Sequence, residues 1–124
     1  MSKLFCICLV AAAFAIALPG DAPAQSAFDG IYAGVSATLS GTMSERRSNA
    51  CPQTFVPAPL TISGGRVQTS WGQQPMDGTV TPQGQVGMHS SLSGRLDAQI
   101  DPQGTVRGSY SGFCIYTVVW QKRR

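Results

Sequence analysis

The chain has one histidine, His89, and the serines Ser90 and Ser91 follow it directly. A serine nucleophile needs a histidine base, a carboxylate that orients this base, and an oxyanion hole. No spacing in the sequence sets up that arrangement around His89. We therefore interpret His89 as an exposed residue at the end of a strand and expect no enzymatic activity.

Two carboxylates, Asp97 and Asp101, share one face of a predicted strand. Four residues of extended chain separate two side chains by about 13 Å, whereas a glycosidase pair needs about 5 to 9.5 Å. Asp101 is better interpreted as the residue that starts the turn Pro102–Gly104. The sequence has neither a cluster with metal-ligand spacing nor a glycine-rich phosphate loop, so we expect no cofactor.

An apolar run, Leu4–Leu18, opens the chain behind a single lysine and ends before the small-residue triplet Ala22-Pro23-Ala24. This pattern is typical of a signal peptide that is cleaved after the triplet. A membrane span needs roughly 20 apolar residues, and this run is shorter. We expect residues 1–24 to be removed and residues 25–124 to reach the periplasm or the exterior as a single domain.

Cleavage would remove two of the four cysteines and leave Cys51 and Cys114. An even pair in an oxidising compartment predicts a disulfide. A metal or redox role would call for a Cys-x-x-Cys spacing or accompanying histidines, and the sequence has neither. In the chain-entropy model a disulfide that closes a loop of this length stabilises the fold by roughly 4 kcal/mol.

The strands that must position these residues are indicated by two-residue alternation of apolar and polar side chains, as in Arg95–Asp101. Two Pro-Gln-Gly turns lie 20 residues apart, and Gly64-Gly65 forms a third turn. Short links favour an up-and-down meander that closes into a small barrel, with a two-sheet sandwich as the alternative. We predict an all-β fold of about eight antiparallel strands at residues 29–40, 59–63, 66–71, 76–81, 84–89, 95–101, 104–111 and 113–121.

The last predicted strand is apolar on both faces, and in the first the apolar residues Ile31 to Leu39 occupy alternate positions on one face. We expect the face of the last strand that carries Cys114, Tyr116, Val118 and Trp120 to be covered by the long irregular segment Gly41–Pro57. Because this segment is irregular, function is expected there rather than in the hairpins.

Two groups of residues are candidates for binding. Aromatic side chains at a barrel mouth would stack on a sugar or another planar ligand, although such residues more often fill a core. The pair Arg46-Arg47 and the C-terminal run Lys122–Arg124 would meet anionic glycans or lipid headgroups. The predicted ligand surface comprises Tyr32, Trp71, Tyr116, Trp120, Arg46 and Arg47, with Tyr110 as a further aromatic candidate.

Several segments resemble a group of short exported proteins from Gram-negative soil bacteria: Phe28–Gly34, the two Pro-Gln-Gly hairpins, Gly104–Gly112 and Val119–Lys122. The resemblance implies an exported, all-β protein with one disulfide and implies no mechanism. In architecture the chain is also similar to periplasmic metalloprotease inhibitors, whose N-terminal trunk enters the protease cleft. Only Gln25–Ala27 precedes the first strand motif here.

Composition excludes several classes of protein. Charged residues make up 12% of the chain and the net charge is +3, too few for a solvated helical bundle and too weak to indicate nucleic-acid binding. We expect an exported, non-enzymatic binding or envelope-associated module. An inhibitor of a secreted protease or lysozyme and a binder of anionic glycans or lipid headgroups are the alternatives, so an envelope protein, a secreted hydrolase or a glycan is the expected partner.

Overall fold

The computed structural model describes residues 27–42, 51–91 and 93–124, and the predicted signal peptide, Arg46 and Arg47 lie outside these ranges. The described residues form strands and turns without a helix. None of them belongs to a helix long and apolar enough to cross a membrane. The strands are β1 (Gly30–Thr42), β2 (Thr54–Phe55), β3 (Leu60–Ser63), β4 (Arg66–Trp71), β5 (Gln74–Val80), β6 (Gln85–Ser90), β7 (Arg95–Ile100), β8 (Thr105–Ser111) and β9 (Cys114–Lys122).

Eight of these strands close into a barrel in up-and-down order, as the sequence predicts. Strands β3 to β9 pair antiparallel with their neighbours along the chain, and β1 joins the two edges by pairing with both β3 and β9. Closure removes the exposed edges that an open sheet of this size would present. The barrel prediction is confirmed, and the sandwich alternative is not the fold formed.

The additional strand β2 continues the line of β3 along β1. Tyr32 pairs with Leu60 and Ala37 pairs with Phe55, so both strands keep the same register on β1. Proline has no N–H to donate to a ladder, and Pro57 and Pro59 lie in the interruption. At this point a Cβ on Gly34 would overlap the carbonyl oxygen of Pro57. Glycine therefore lets the interrupted strand cross close to β1.

One end of the barrel is tied together by its hairpins, and we call it the closed end: turns 64–65, 81–84 and 101–104 with residues 27–29. The carbonyls of Gly65, Gly84 and Gly104 accept hydrogen bonds from the N–H groups of Val80, Ile100 and Lys122 at 2.8–2.9 Å. Both Pro-Gln-Gly glycines have positive φ, 84° and 81°, as these turns require. The 20-residue spacing thus produces equivalent, linked hairpins.

The face assignment predicted for β1 is wrong in its first half. Tyr32 points into the barrel, whereas Ile31 and Val35 are 46% and 50% exposed. In the pairing of β1 with β9, the register shifts between Gly34 and Ser36, so β1 has one extra residue at this point. Such a bulge changes which alternate residues face inward, and Ala37 is buried beyond it.

The role predicted for segment Gly41–Pro57 also needs correction. Tyr116, Val118 and Trp120 of β9 are buried in the barrel interior, so the face expected to need an outer cover is the core itself. The described part of the segment contacts this interior side: Cys51 bonds Cys114, and the Tyr116 hydroxyl donates to the Pro52 carbonyl. The described part of the segment therefore caps one end of the barrel.

Candidate functional site at the aromatic end

The end of the barrel opposite the closed end carries a cluster of aromatic side chains, and we call it the aromatic end. Turns 72–73 and 112–113 lie here, together with the disulfide and the last residues of β1. Each aromatic residue lies in a turn or within three residues of a strand end. The residues concerned are Phe55, Trp71, Tyr110, Phe113 and Tyr116.

Trp71 and Tyr110 form a stacked pair across this end. Their ring centroids are 4.0 Å apart and their planes differ by 18°. Trp71 ends β4 and Tyr110 belongs to β8, and three strands separate β4 from β8 in either direction round the barrel. The stack therefore joins opposite walls.

Phe55 and Tyr116 extend the cluster toward β2 and β9. The ring of Phe55 meets Trp71 edge-on at 5.3 Å and Tyr116 edge-on at 5.0 Å, a geometry that aromatic quadrupoles favour. Burial raises the pKa of Tyr110 and of Tyr116 above the ordinary tyrosine value. Both side chains are therefore neutral phenols at physiological pH, and neither contributes a charge to this end.

A cavity of about 380 Å³ opens beside the stacked pair. Its volume lies within the range of small-molecule sites, about 300–1,000 Å³. Aromatic rings and the Cys114 side of the predicted disulfide, which the structure confirms, form much of its wall. No charged residue is among its described lining residues, which are Pro52, Phe55, Trp71, Gly72, Tyr110, Phe113, Cys114 and Tyr116.

Of the aromatic residues predicted as a ligand surface, the structure brings Trp71 and Tyr116 together with Tyr110. Trp120 is fully buried and its indole N–H donates to the Ala58 carbonyl at 2.8 Å. Tyr32 is buried at the closed end, where its hydroxyl donates to the Phe28 carbonyl at 2.7 Å. Tyr32 and Trp120 are therefore buried residues with hydrogen-bond partners inside the protein, and neither lines the cavity at the aromatic end.

Sequence reasoning missed Phe55 and Phe113 as members of this cluster. Phe55 lies between Pro52 and Pro57 in a segment predicted to be irregular, and Phe113 was placed in a strand although it occupies a turn. The proximity of Phe55 to Cys51, four residues earlier, was the available signal, since a disulfide to Cys114 brings this stretch to the start of β9.

The two basic stretches attach to opposite ends of the barrel. Thr42 and Cys51, on either side of the segment that contains Arg46 and Arg47, both lie at the aromatic end beside Cys114. The C-terminal run begins at the closed end, where the Lys122 ammonium lies 5.9 Å from the centre of the Tyr32 ring. The two predicted basic sites are therefore two separate predictions.

The remaining polar candidates are placed as follows. Asp101 accepts hydrogen bonds from the N–H groups of Gln103 and Thr105, both at 2.9 Å, which confirms its role in the turn. Asp97 pairs with Arg95 at 2.9 Å, and His89 is exposed near the end of β6. Among the residues that the structure describes, no three His, Cys, Asp or Glu side chains lie close enough to hold a metal ion.

Comparison of the chain with protein-family models, with curated proteins and with solved structures finds no match. The resemblance to short exported proteins therefore stays an expectation from the sequence. Function is inferred from the geometry and chemistry of the barrel.

Proposed function

We propose that this chain is an exported, non-catalytic binding protein that takes a small, neutral, planar or apolar molecule at its aromatic end. The observation that carries the proposal is the Trp71–Tyr110 stack beside a cavity of about 380 Å³ with an aromatic wall. Concave, largely apolar sites with few polar groups are typical of small-molecule binding.

The chemistry of the lining supports a neutral ligand. The hydroxyl of Tyr116 is already used by the Pro52 carbonyl at 2.8 Å. A charged ligand group would lose its hydration and find no opposite charge among the described lining residues, which is costly. A flat ring would instead bury apolar surface and gain about 0.5–1.5 kcal/mol for each favourable aromatic contact.

The barrel also supplies the rigidity that a binding site needs. Inside the barrel, the Thr69 hydroxyl donates to the Pro59 carbonyl at 3.0 Å and the Trp120 indole donates to the Ala58 carbonyl. These bonds and the Cys51–Cys114 disulfide fix the segment that carries Phe55. A site that is ordered before binding loses less entropy when the ligand arrives.

Export is supported by the apolar leader in the sequence and by the disulfide, which persists in oxidising compartments. In such a compartment a binding protein would meet small apolar molecules that pass through the cell envelope. The proposal therefore places the protein in the periplasm or the exterior, where it binds a ligand and does not catalyse a reaction.

Binding is tested with indole and with N-phenylnaphthylamine, a neutral dye whose emission rises in an apolar site. The wild-type protein should enhance the dye emission, and indole should displace the dye. Trp71→Ala should abolish the enhancement, whereas Ile31→Ala, at an exposed site on the outer surface, should keep it. Equal enhancement by Trp71→Ala and wild type would show that the aromatic end is not the binding site.

A further inference from the structure

A polar groove lies on the outer surface of the barrel, and its lining residues are different from those of the cavity at the aromatic end. Thr61 pairs with Gln68, Gln68 with Asp77, and Asp77 with His89, so these four exposed residues form one row across β3, β4, β5 and β6. They line a cavity of about 770 Å³, whose wall is completed by Pro59 and Pro75 among others. We call the row and its cavity the polar groove.

The side chains of this row have no partner within the described part of the chain. Among the described residues, no hydrogen bond or ion pair engages the side chain of Thr61, Gln68, Asp77 or His89. Two other exposed glutamines are engaged: Gln99 donates to the Gln83 carbonyl at 2.8 Å, and Gln121 donates to the Gln103 carbonyl at 3.1 Å. The polar groove is therefore a surface whose hydrogen-bonding capacity is available.

We propose that the polar groove binds a neutral oligosaccharide. Its row combines a hydroxyl, a carboxamide, a carboxylate and an imidazole, which together offer donors and acceptors in adjacent positions. Neighbouring strands lie about 4.7–4.9 Å apart, so these polar groups are spaced regularly along a line. An extended sugar chain that lies along this line would present its hydroxyls to them. Sugar hydroxyls donate and accept, and they match such a mixed set.

Charge and the cost of desolvation disfavour the other ligand classes for this groove. Asp77 is the one acidic residue among the described lining residues and repels anionic glycans, phosphates and sulfates. Arg95, the cation in the row, already pairs with Asp97 at 2.9 Å, and Arg66, two residues from Gln68 on the same face of β4, is not among the lining residues of the groove. An apolar ligand would strip water from the Asp77 carboxylate and the Gln68 amide without replacing their hydrogen bonds, which is unfavourable.

The floor of the groove is held in place by the interior. Thr69, the inward neighbour of Gln68, is 9% exposed, and its hydroxyl donates to the Pro59 and Ala58 carbonyls at 3.0 and 3.3 Å. These bonds fix β4 against the interrupted stretch before β3. The row therefore stands on a rigid sheet, as a site for an extended ligand requires.

The test is NMR amide mapping of the isotope-labelled mature protein titrated separately with chitotetraose, cellotetraose and maltotetraose at millimolar concentration. At least one of these sugars should shift resonances along β3 to β6 and leave those of Phe55, Tyr110, Phe113 and Tyr116 unchanged. Polygalacturonate, an anionic glycan, should leave the groove unshifted. The double variant Gln68→Ala/Asp77→Ala should weaken sugar binding at least tenfold, whereas Thr117→Ala, exposed on β9 across the barrel, should not.

Three results would overturn the proposal. The first is that none of the three sugars shifts the groove resonances, or that the shifts fall at Phe55, Tyr110, Phe113 and Tyr116, which line the other cavity. The second is equal sugar affinity in the double variant and the wild type. The third is stronger binding of polygalacturonate than of the neutral sugars. Displacement of dye by indole is measured separately, so the aromatic-end proposal stands or falls on its own.

Discussion

The indole of Trp71 stacks on the ring of Tyr110, with 4.0 Å between ring centroids, although the two residues belong to opposite walls of the barrel. The closed end is held by backbone bonds between hairpins. The aromatic end is held mainly by the packing of its aromatic rings and by the Cys51–Cys114 disulfide.

Removing one ring of the stack should therefore loosen this end without unfolding the barrel. We expect Tyr110→Ala to lower the free energy of unfolding by roughly 1–3 kcal/mol and to reduce the near-ultraviolet circular dichroism of the tryptophans. Tyr110→Phe keeps the ring and should keep most of the signal. Identical spectra for Tyr110→Ala and wild type would contradict the stack.

Side chains also close the gap between β2 and β4. These strands share no ladder pairing, since β2 pairs with β1 and β4 pairs with β3 and β5. Phe55 and Trp71 meet across the gap at 5.3 Å. On the far side of β2, Gly34 lets the Pro57 carbonyl approach β1. The position of β2, and with it Phe55, depends on that approach.

Gly34→Ala should consequently destabilise the protein, because its methyl group would overlap backbone atoms of Pro57. Overpacking of this kind typically costs about 1–3 kcal/mol. Gly87→Ala is the matched control: it also lies in a strand, and a Cβ there would meet nothing within 4 Å. Chemical denaturation followed by circular dichroism measures both variants. A Gly34→Ala protein as stable as Gly87→Ala would refute the close approach.

Much of the fold could be predicted from local sequence signals. Each Pro-Gln-Gly turn and Gly64-Gly65 marks a hairpin through its own conformational preferences, and alternation marks the strands between them. Barrel closure followed from the need to remove two sheet edges. These signals depend on a few neighbouring residues, so they can be interpreted without knowledge of the tertiary structure.

The candidate site was harder to predict because it is assembled over long distances. Trp71 and Tyr110 meet across the barrel, and alternation does not specify which strands face each other. The bulge in β1 between Gly34 and Ser36 reversed the faces in a stretch whose apolar residues alternate without interruption. Tyr32 and Trp120 were misassigned as surface residues. A buried tyrosine or tryptophan differs from an exposed one in having a hydrogen-bond partner inside the protein, and the residue type does not reveal that partner.

The disulfide should contribute a large share of the stability. Cys51 and Cys114 are 63 positions apart in the chain, and closing a loop of this length stabilises the folded state by roughly 4 kcal/mol in the chain-entropy model. The double variant Cys51→Ser/Cys114→Ser should melt at a lower temperature than the oxidised wild type. Reductant should lower the melting temperature of the wild type alone. A wild type that is indifferent to reductant would contradict this expectation.

All three tyrosines of the chain should make stability fall at alkaline pH. Burial raises the pKa of Tyr110 and Tyr116 in the folded state, and burial together with the Asp29 charge raises that of Tyr32. The unfolded chain, in which tyrosine ionises near about 10, then loses protons before the folded chain does. Since stability falls with pH wherever the folded state binds more protons, the tyrosine contribution is complete below about pH 10 and declines above it.

This prediction is checked by two measurements on the same protein. Ultraviolet titration of tyrosinate absorbance should show ionisation at higher pH in the folded protein than in guanidinium, and the free energy of unfolding should decrease as pH rises above about 10. Tyr110→Phe, which keeps its ring against Trp71, should make this decrease shallower. If the folded protein ionised all its tyrosines at the same pH as the unfolded chain, the phenols would be exposed, and the aromatic end would lack the buried surface that binding requires.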